Sequence, residues 1–236
     1  LAIGSERYMP FRERRPEEIL AQANHILGSG QTSLAKFLFI AAAGDAPGLT
    51  THDIPAFFRH LLERVDWTRD LHFHTKTTID TLDYSGTGWN AGSKVVVACC
   101  GAPRRQLSTG LPDGFSLPGG FSDPAFVQPG ILAVQAPPFK GEESYGDCRR
   151  LAEHLERFDL PGIPLIVVTG DSGFLAASTN NFLWATFTRA NPSHDLHGVG
   201  AFVEHKHWGC RGPLLIDARR KPHHAPGLEP DREVQR

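Results

Sequence analysis

Several groups of side chains have types and spacings that could do chemistry. Gly170-Asp171-Ser172-Gly173 spells a serine-nucleophile motif. A nucleophilic serine needs a histidine base, itself oriented by a third group, on a scaffold that brings them together. Here the motif follows a buried-strand pattern and precedes a helix, so Ser172 is assigned to loop hydrogen bonds. His205, His207 and Cys210, with His223 and His224 as further donors, are residue types that ligate metals. His-x-His-x-x-Cys is not a firm zinc signature, however, and histidines in a Trp/Gly loop commonly hydrogen-bond or titrate at the surface. Asp45 and Asp171 follow the ends of two apolar runs. Open α/β sheets bind ligands at such positions, and carboxylates there also cap the following backbone; both readings stand. Lys94, after Gly92-Ser93, and Lys221, after Asp217-Ala218-Arg219-Arg220, are the candidate cofactor contacts. A lysine beside a Gly-rich or tight turn can meet a phosphate as a point charge. No GxGxxG or Walker-type loop is present, and no catalytic or metal-ligating set is assigned.

These residues need elements to position them. Pro16 to Leu27 reads as a helix, with Pro in its first turn and Gly28 as its stop. Lys36 to Ala43 is a continuous apolar run, the pattern of a strand buried on both faces. Ile54, Phe57, Phe58, Leu61, Leu62 and Val65 recur at steps of three and four, a helical stripe, with Thr50 as a cap candidate and Asp53 favouring the positive helix start. Lys94 to Cys100 is a second apolar strand. From Gly101 to Gly146 the pattern gives way to prolines and glycines, with one apolar piece, Ile131 to Val134, expected as an edge strand. A helix through Leu151 and Leu155, a strand over 163–169, a helix over 179–188 and a strand over 213–218 follow. The chain after Lys221 is Pro-, His- and charge-rich and is expected to be extended.

The two halves share an order. Each runs from an apolar strand through Gly-Asp, a loop and a helix to an Arg, then Asp-Leu-His, and on to a glycine and a second apolar strand. Arg64 to Asp70 and Arg189 to Asp195 are both six residues apart. This suggests duplication, with Arg–Asp pairs as loop clamps. The expected fold class is α/β: two tandem strand-helix-strand units forming mixed or parallel sheets covered by helices and joined by a long Pro/Gly-rich loop. The boundaries are 1–33 for a connecting helix, 34–102 for the first unit, 103–145 for the linker and 146–236 for the second unit with its tail.

Composition limits the function. The 236 residues are 40% hydrophobic and 21% charged, with a net charge of −2, ordinary values for a folded protein. That excludes a disordered tail, a coiled coil and a collagen-like repeat, and gives no electrostatic pull toward nucleic acid. The 24 glycines and 18 prolines predict long ordered loops. The longest apolar runs fall far short of the roughly 20 residues of a membrane span. The four cysteines contain no CxxC pair, so a reducing cytoplasm is preferred to a disulfide framework. The chain opens on Leu1 and its one methionine is Met9, the pattern of a processed chain or fragment; its first residues lack a signal-peptide pattern.

The segment 36–102, especially Ile79-Asp-Thr-Leu-Asp-Tyr84 and Gly92-Ser93-Lys94, resembles the carboxy-terminal region of UbiD-type decarboxylases. So do Phe187-Thr-Arg-Ala-Asn-Pro-Ser-His-Asp195 and Leu215-Ile-Asp-Ala-Arg-Arg-Lys221, with Arg219 where the family pattern has threonine and Trp67 where it has proline. The resemblance implies non-oxidative, reversible decarboxylation of an aromatic or α,β-unsaturated carboxylic acid. It implies prenylated FMN with a divalent metal such as Mn and K+, held mainly by an upstream split-barrel domain that also carries the catalytic acids. On this reading the chain is a carboxy-terminal portion that supports homo-oligomer assembly, closes the site and is inactive alone. The alternatives are a non-catalytic α/β oligomerisation module and a metal-dependent hydrolase using the His-rich loop.

Overall fold

The computed structural model describes residues 1–6 and 13–226; the end of the tail, 227–236, lies outside the described residues. The first unit contains β1 (Ala2–Gly4), α1 (Glu17–Leu27), β2 (Phe37–Ala42), α2 (Ile54–Arg64), β3 (Leu71–Thr77) and β4 (Gly92–Cys99). A hairpin of β5 (Ser122–Gln128) and β6 (Ile131–Gln135) leads into the second unit. That unit holds α3 (Tyr145–Leu155), β7 (Leu165–Thr169), α4 (Ser172–Ala176), α5 (Thr179–Arg189) and α6 (Pro192–Asp195). It ends with β8 (Leu196–Gly198), the β9 (Ala201–Glu204) and β10 (His207–Cys210) ribbon, and β11 (Leu214–Asp217).

The first sheet has the order β1-β2-β4-β3 and the second β5-β6-β7-β11-β8. In the first, β1, β2 and β4 are parallel and β3 runs against them. In the second, β6, β7 and β11 are parallel, with β8 antiparallel at one edge and β5 antiparallel at the other. The parallel-parallel-antiparallel order therefore appears in both sheets. The fold is α/β with mixed sheets, as the apolar runs require.

Alternation along the strands sorts side chains into layers. Phe39, Ala41, Val95 and Val97 point to the same core as Ile131, Ala133, Val167 and Ile216 of the second sheet, with α2 and α5 between. Leu38, Ile40, Val96 and Ala98 face α1 on the other side. Leu132, Val134, Ile166 and Val168 face α3. The central layer is aromatic: Phe58 of α2 meets Phe39 at 5.3 Å and Phe182 of α5 at 5.5 Å, and Phe187 meets Phe37 at 5.0 Å. Each such ring contributes about 1.5–3 kcal/mol by leaving water, so the two units are held together by their core. Trp67 adds a polar tie, donating Nε1–H to the Pro164 carbonyl at 2.8 Å.

Three local expectations are corrected. Asp53, not Thr50, caps α2, accepting from Ala56 N–H at 3.1 Å. Residues 131–134 are not an edge strand: β6 is buried between β5 and β7, and β5 is the edge. Arg64 does not pair with Asp70, nor Arg189 with Asp195. Arg64 donates to the carbonyls of Gly101 and His60, and Arg189 lies over the Trp184 ring at 5.1 Å. What recurs is the aspartate: Asp70 accepts from Asp66 N–H at 2.9 Å and Asp195 from Asn191 N–H at 2.7 Å, each across four residues.

Candidate functional site

A cavity of about 540 Å³ opens beyond the carboxyl end of β11, walled on its far side by the β3–β4 connection, residues 81–89. Open sheets bind ligands at such an end. The connection is forced into place by a tight turn. A Cβ on Gly86 would sit 2.2 Å from the Ala91 carbonyl oxygen, and Thr87 N–H donates to that same carbonyl at 2.8 Å. The turn projects Trp89, which is 83% exposed, at the mouth beside the half-exposed Tyr84. Behind it, the buried Lys36 ammonium anchors the connection, pairing with Asp83 at 2.7 Å and donating to Ser85 Oγ at 2.5 Å. Burial lowers the Lys36 pKa, and Asp83 works against that shift.

The floor comes from the second unit. Pro192 starts α6, whose one turn delivers the buried Asp195. Asp195 Oδ2 accepts from Asn191 N–H; Oδ1 has no hydrogen bond among the described residues and faces Lys221 Nζ at 3.2 Å. Burial raises the Asp195 pKa, with Lys221 and the Asn191 N–H opposing. Lys221 Nζ also donates to the Asp217 carbonyl at 3.2 Å. Asp217 is pushed up by burial, but the Arg219 hydrogen bonds and the Lys221 charge outweigh that and hold it below the usual carboxylate range. Arg219 is fully buried. It binds the Asp217 carboxylate through Nε and Nη2 and Asp147 through Nη1 at 2.7 Å, and it donates to the Ser144 and Pro137 carbonyls. This fixes the loop that presents Tyr145 to the cavity. Ser93 crosses between units: its hydroxyl donates to Asn191 Oδ1 and accepts from Ser193 N–H at 2.8 Å.

The sequence candidates fall in different places. Lys221 lines this cavity. Lys94 is buried one strand position from Ser93, its ammonium donating to the Ser33 and Ala35 carbonyls at 2.7 and 3.1 Å. Asp45 accepts from Gly101 N–H at 2.8 Å and pairs with Arg14. Asp171 caps α4 through Phe174 N–H at 2.8 Å. Ser172 donates to the Asp123 carbonyl. In the His-rich ribbon, His205 is exposed at the turn and His207 Nε2 lies 3.0 Å from the Thr68 carbonyl. Cys210 is buried, with its thiol against the Gly212 and Pro213 carbonyls. Among the described residues no three His, Cys, Asp or Glu side chains gather as metal ligands. Sequence reasoning does not single out Ser93, Asn191, Tyr145, Arg219 or the 85–89 turn as site residues. Ser93, Asn191 and Arg219 carry one signal, membership of the Gly-Ser-Lys, Thr-Arg and Asp-Ala-Arg-Arg segments, which the fold brings around one cavity; Tyr145 and the 85–89 turn carry none.

Residues 1–99 match the family described as 3-octaprenyl-4-hydroxybenzoate carboxy-lyase C-terminal domain. The match covers less than half of the chain, and over residues 1–99 the chain is similar to the UbiD carboxy-terminal domain. It is 33% identical over 234 residues to an uncharacterized protein of Chlamydia trachomatis, covering 95% of this chain and 36% of that protein. It is 33% identical over 225 residues to a Chlamydia pneumoniae protein named as a 4-hydroxybenzoate decarboxylase subunit, covering 93% of this chain and 35% of that one. The chain thus spans about a third of the length of the curated relatives it matches. No solved structure matches it significantly. No helix among the described residues is long and apolar enough to cross a membrane.

Proposed function

We propose that this chain is the carboxy-terminal portion of a UbiD-family carboxy-lyase performing reversible, non-oxidative decarboxylation of an aromatic or α,β-unsaturated carboxylic acid. The observation that carries this reading is convergence. The 79–84, 92–94, 187–195 and 215–221 segments, far apart in sequence, all contribute to or abut one cavity. The decarboxylation chemistry would be supplied by prenylated FMN, with its divalent metal and K+ held by a domain outside this chain. Within this chain Lys221 is the nearer cofactor contact, at the cavity wall. Lys94 would have to exchange its two carbonyl partners for phosphate oxygens to join it. This portion would close the site with the exposed 81–89 turn and support homo-oligomer assembly. The four buried free thiols are compatible with a reducing cytoplasm. We infer also that the two units are copies of one strand-helix-strand ancestor, since their strand orders and aspartate clamps agree; failure of β2, β4 and β3 to superpose on β7, β11 and β8 would overturn this.

The test is a decarboxylation assay, following CO2 release from aromatic acids, on this chain alone and joined to the upstream domain. Activity of the joined protein only is expected. Activity of the isolated chain would refute the placement of the chemistry elsewhere. A second reading, a non-catalytic oligomerisation module, rests on the preformed two-unit core; it is favoured if the isolated chain forms a dimer on sizing and the joined protein stays inactive.

A further inference from the structure

A second cavity of about 540 Å³ shares residues 83–85 with the first as a wall and extends to the side of α5. Its chemistry differs. Arg189 and Arg220 both line it, and neither has a carboxylate partner among the described residues; the one acceptor Arg220 reaches is the Ala225 carbonyl at 3.4 Å. Arg189 is held over Trp184, back along the helix body and away from the negative helix end. Burial and then the neighbouring Arg220 charge hold its guanidinium below the ordinary value. The two carboxylates that also line the cavity are engaged elsewhere: Asp83 by Lys36, and Asp80 by Leu82 N–H at 2.8 Å.

His224 adds an unused donor. Lys221 N–H donates to its Nδ1 at 3.2 Å, so the neutral ring carries its proton on Nε2. Nε2 is buried and has no acceptor among the described residues. Burial, then the charges of Lys221, His223, Lys36 and Arg189, hold this histidine down to about 3. The surroundings of the ring are cationic, which favours its neutral form. Leu82, Phe187 and Trp184 supply an apolar wall.

We propose that this second cavity is a binding site for a phosphate monoester carried on a flat apolar group, with Arg189 and Arg220 clamping the anion and His224 as a third donor. Two guanidiniums and a neutral N–H suit a multi-oxygen dianion better than a carboxylate. The proposal does not depend on the carboxy-lyase reading. Calorimetric titration of the full 236-residue chain with inorganic phosphate, phenyl phosphate and benzoate tests it. Phenyl phosphate should saturate and bind most tightly, and R189Q and the exposed-site R220Q should each weaken it about tenfold or more, with the R220Q melting temperature unchanged. An affinity for phenyl phosphate that rises in a full-length E229Q/D231N/E233Q variant, yet still falls on adding R189Q, supports the same site with tail carboxylates as competitors. No saturable binding, tighter benzoate, or phenyl phosphate affinity indifferent to both arginine substitutions overturns it.

Discussion

The Lys221–Asp195 pair offers a sharp test, because both side chains are almost wholly buried, 1% and 2% exposed, with Nζ and Oδ1 3.2 Å apart. Replacing Lys221 with Met keeps the volume of the stem and removes the charge, leaving a buried carboxylate whose single remaining hydrogen bond is the one from Asn191 N–H. Breaking one side of a buried pair costs about 3–5 kcal/mol. At about 2–4 °C per kcal/mol for a chain of this size, the melting temperature should fall by roughly 6–20 °C. The cost must depend on pH. Asp195 already has a raised pKa, and loss of Lys221 raises it further. An acid whose folded pKa lies above its unfolded value binds more protons when folded, so its contribution to stability falls as pH rises through that window. The K221M deficit should therefore be full above the raised pKa and shrink on acidification through it. D195N in the same background should recover most of it, since the Oδ2 acceptor survives as an amide oxygen. Calorimetric or fluorescence melts of wild type, K221M, D195N and the double variant between about pH 5 and 8 provide the cycle. A K221M deficit that is independent of pH, or that D195N leaves unchanged, would show that an uncompensated carboxylate is not the cause.

Ser93→Ala removes a buried hydroxyl that serves Asn191 and Ser193 across the units; a loss of about 1–3 kcal/mol is expected from the groups left unpaired, read as a lowered melting temperature. Burial, with the charges of His207 and His74, lowers His72 to about 4 from 6.5. A base with a lowered folded pKa binds fewer protons when folded, so its share of stability is present above pH 6.5 and is lost as pH falls toward 4; His72→Gln should flatten denaturation curves across that window. Burial raises the Cys99, Cys148 and Cys210 thiols above the ordinary range and pushes Cys100 up to about 12. A thiolate-selective disulfide reagent should thus label the native chain slowly and all four cysteines after unfolding; fast native labelling contradicts the buried placement.

Much of the fold was legible because its central strands are buried on both faces. Phe37–Ala42, 95–99 and 165–168 read as unbroken apolar runs, which needs no knowledge of partners. The strands that escape such reading are edges. Leu71–Thr77 is half polar because its outer residues meet water, and Ser122–Gln128 contains Pro124, acceptable only where a backbone donor is not needed. The site was legible only in part. Lys221 stands out by charge, whereas Arg219 looks like one more basic residue before a tail. Its role depends on Asp147, Ser144 and Pro137, all more than 70 residues away, and no local pattern encodes that.

The recurring Arg–Asp spacing suggests ion pairs, and the reason it does not make them explains where the cavity lies. In both units the aspartate closes the loop between helix and antiparallel strand by accepting the N–H four residues back, which leaves its carboxylate buried and in need of a counter-charge. In the first unit Arg69, the adjacent residue, supplies one at 2.6 Å, and the aspartate is sealed within its own loop. In the second unit the equivalent residue is His194, whose ring meets Asn191 and Ser193 rather than Asp195; the counter-charge is Lys221, arriving from beyond β11. The chain must therefore turn back over the sheet end after β11 to neutralise Asp195. That return leaves an open floor, which the first unit meets with its 81–89 turn rather than with packed side chains. The same backbone clamp thus closes one loop and opens a cavity at the other, and the difference is the sequence distance of one positive charge.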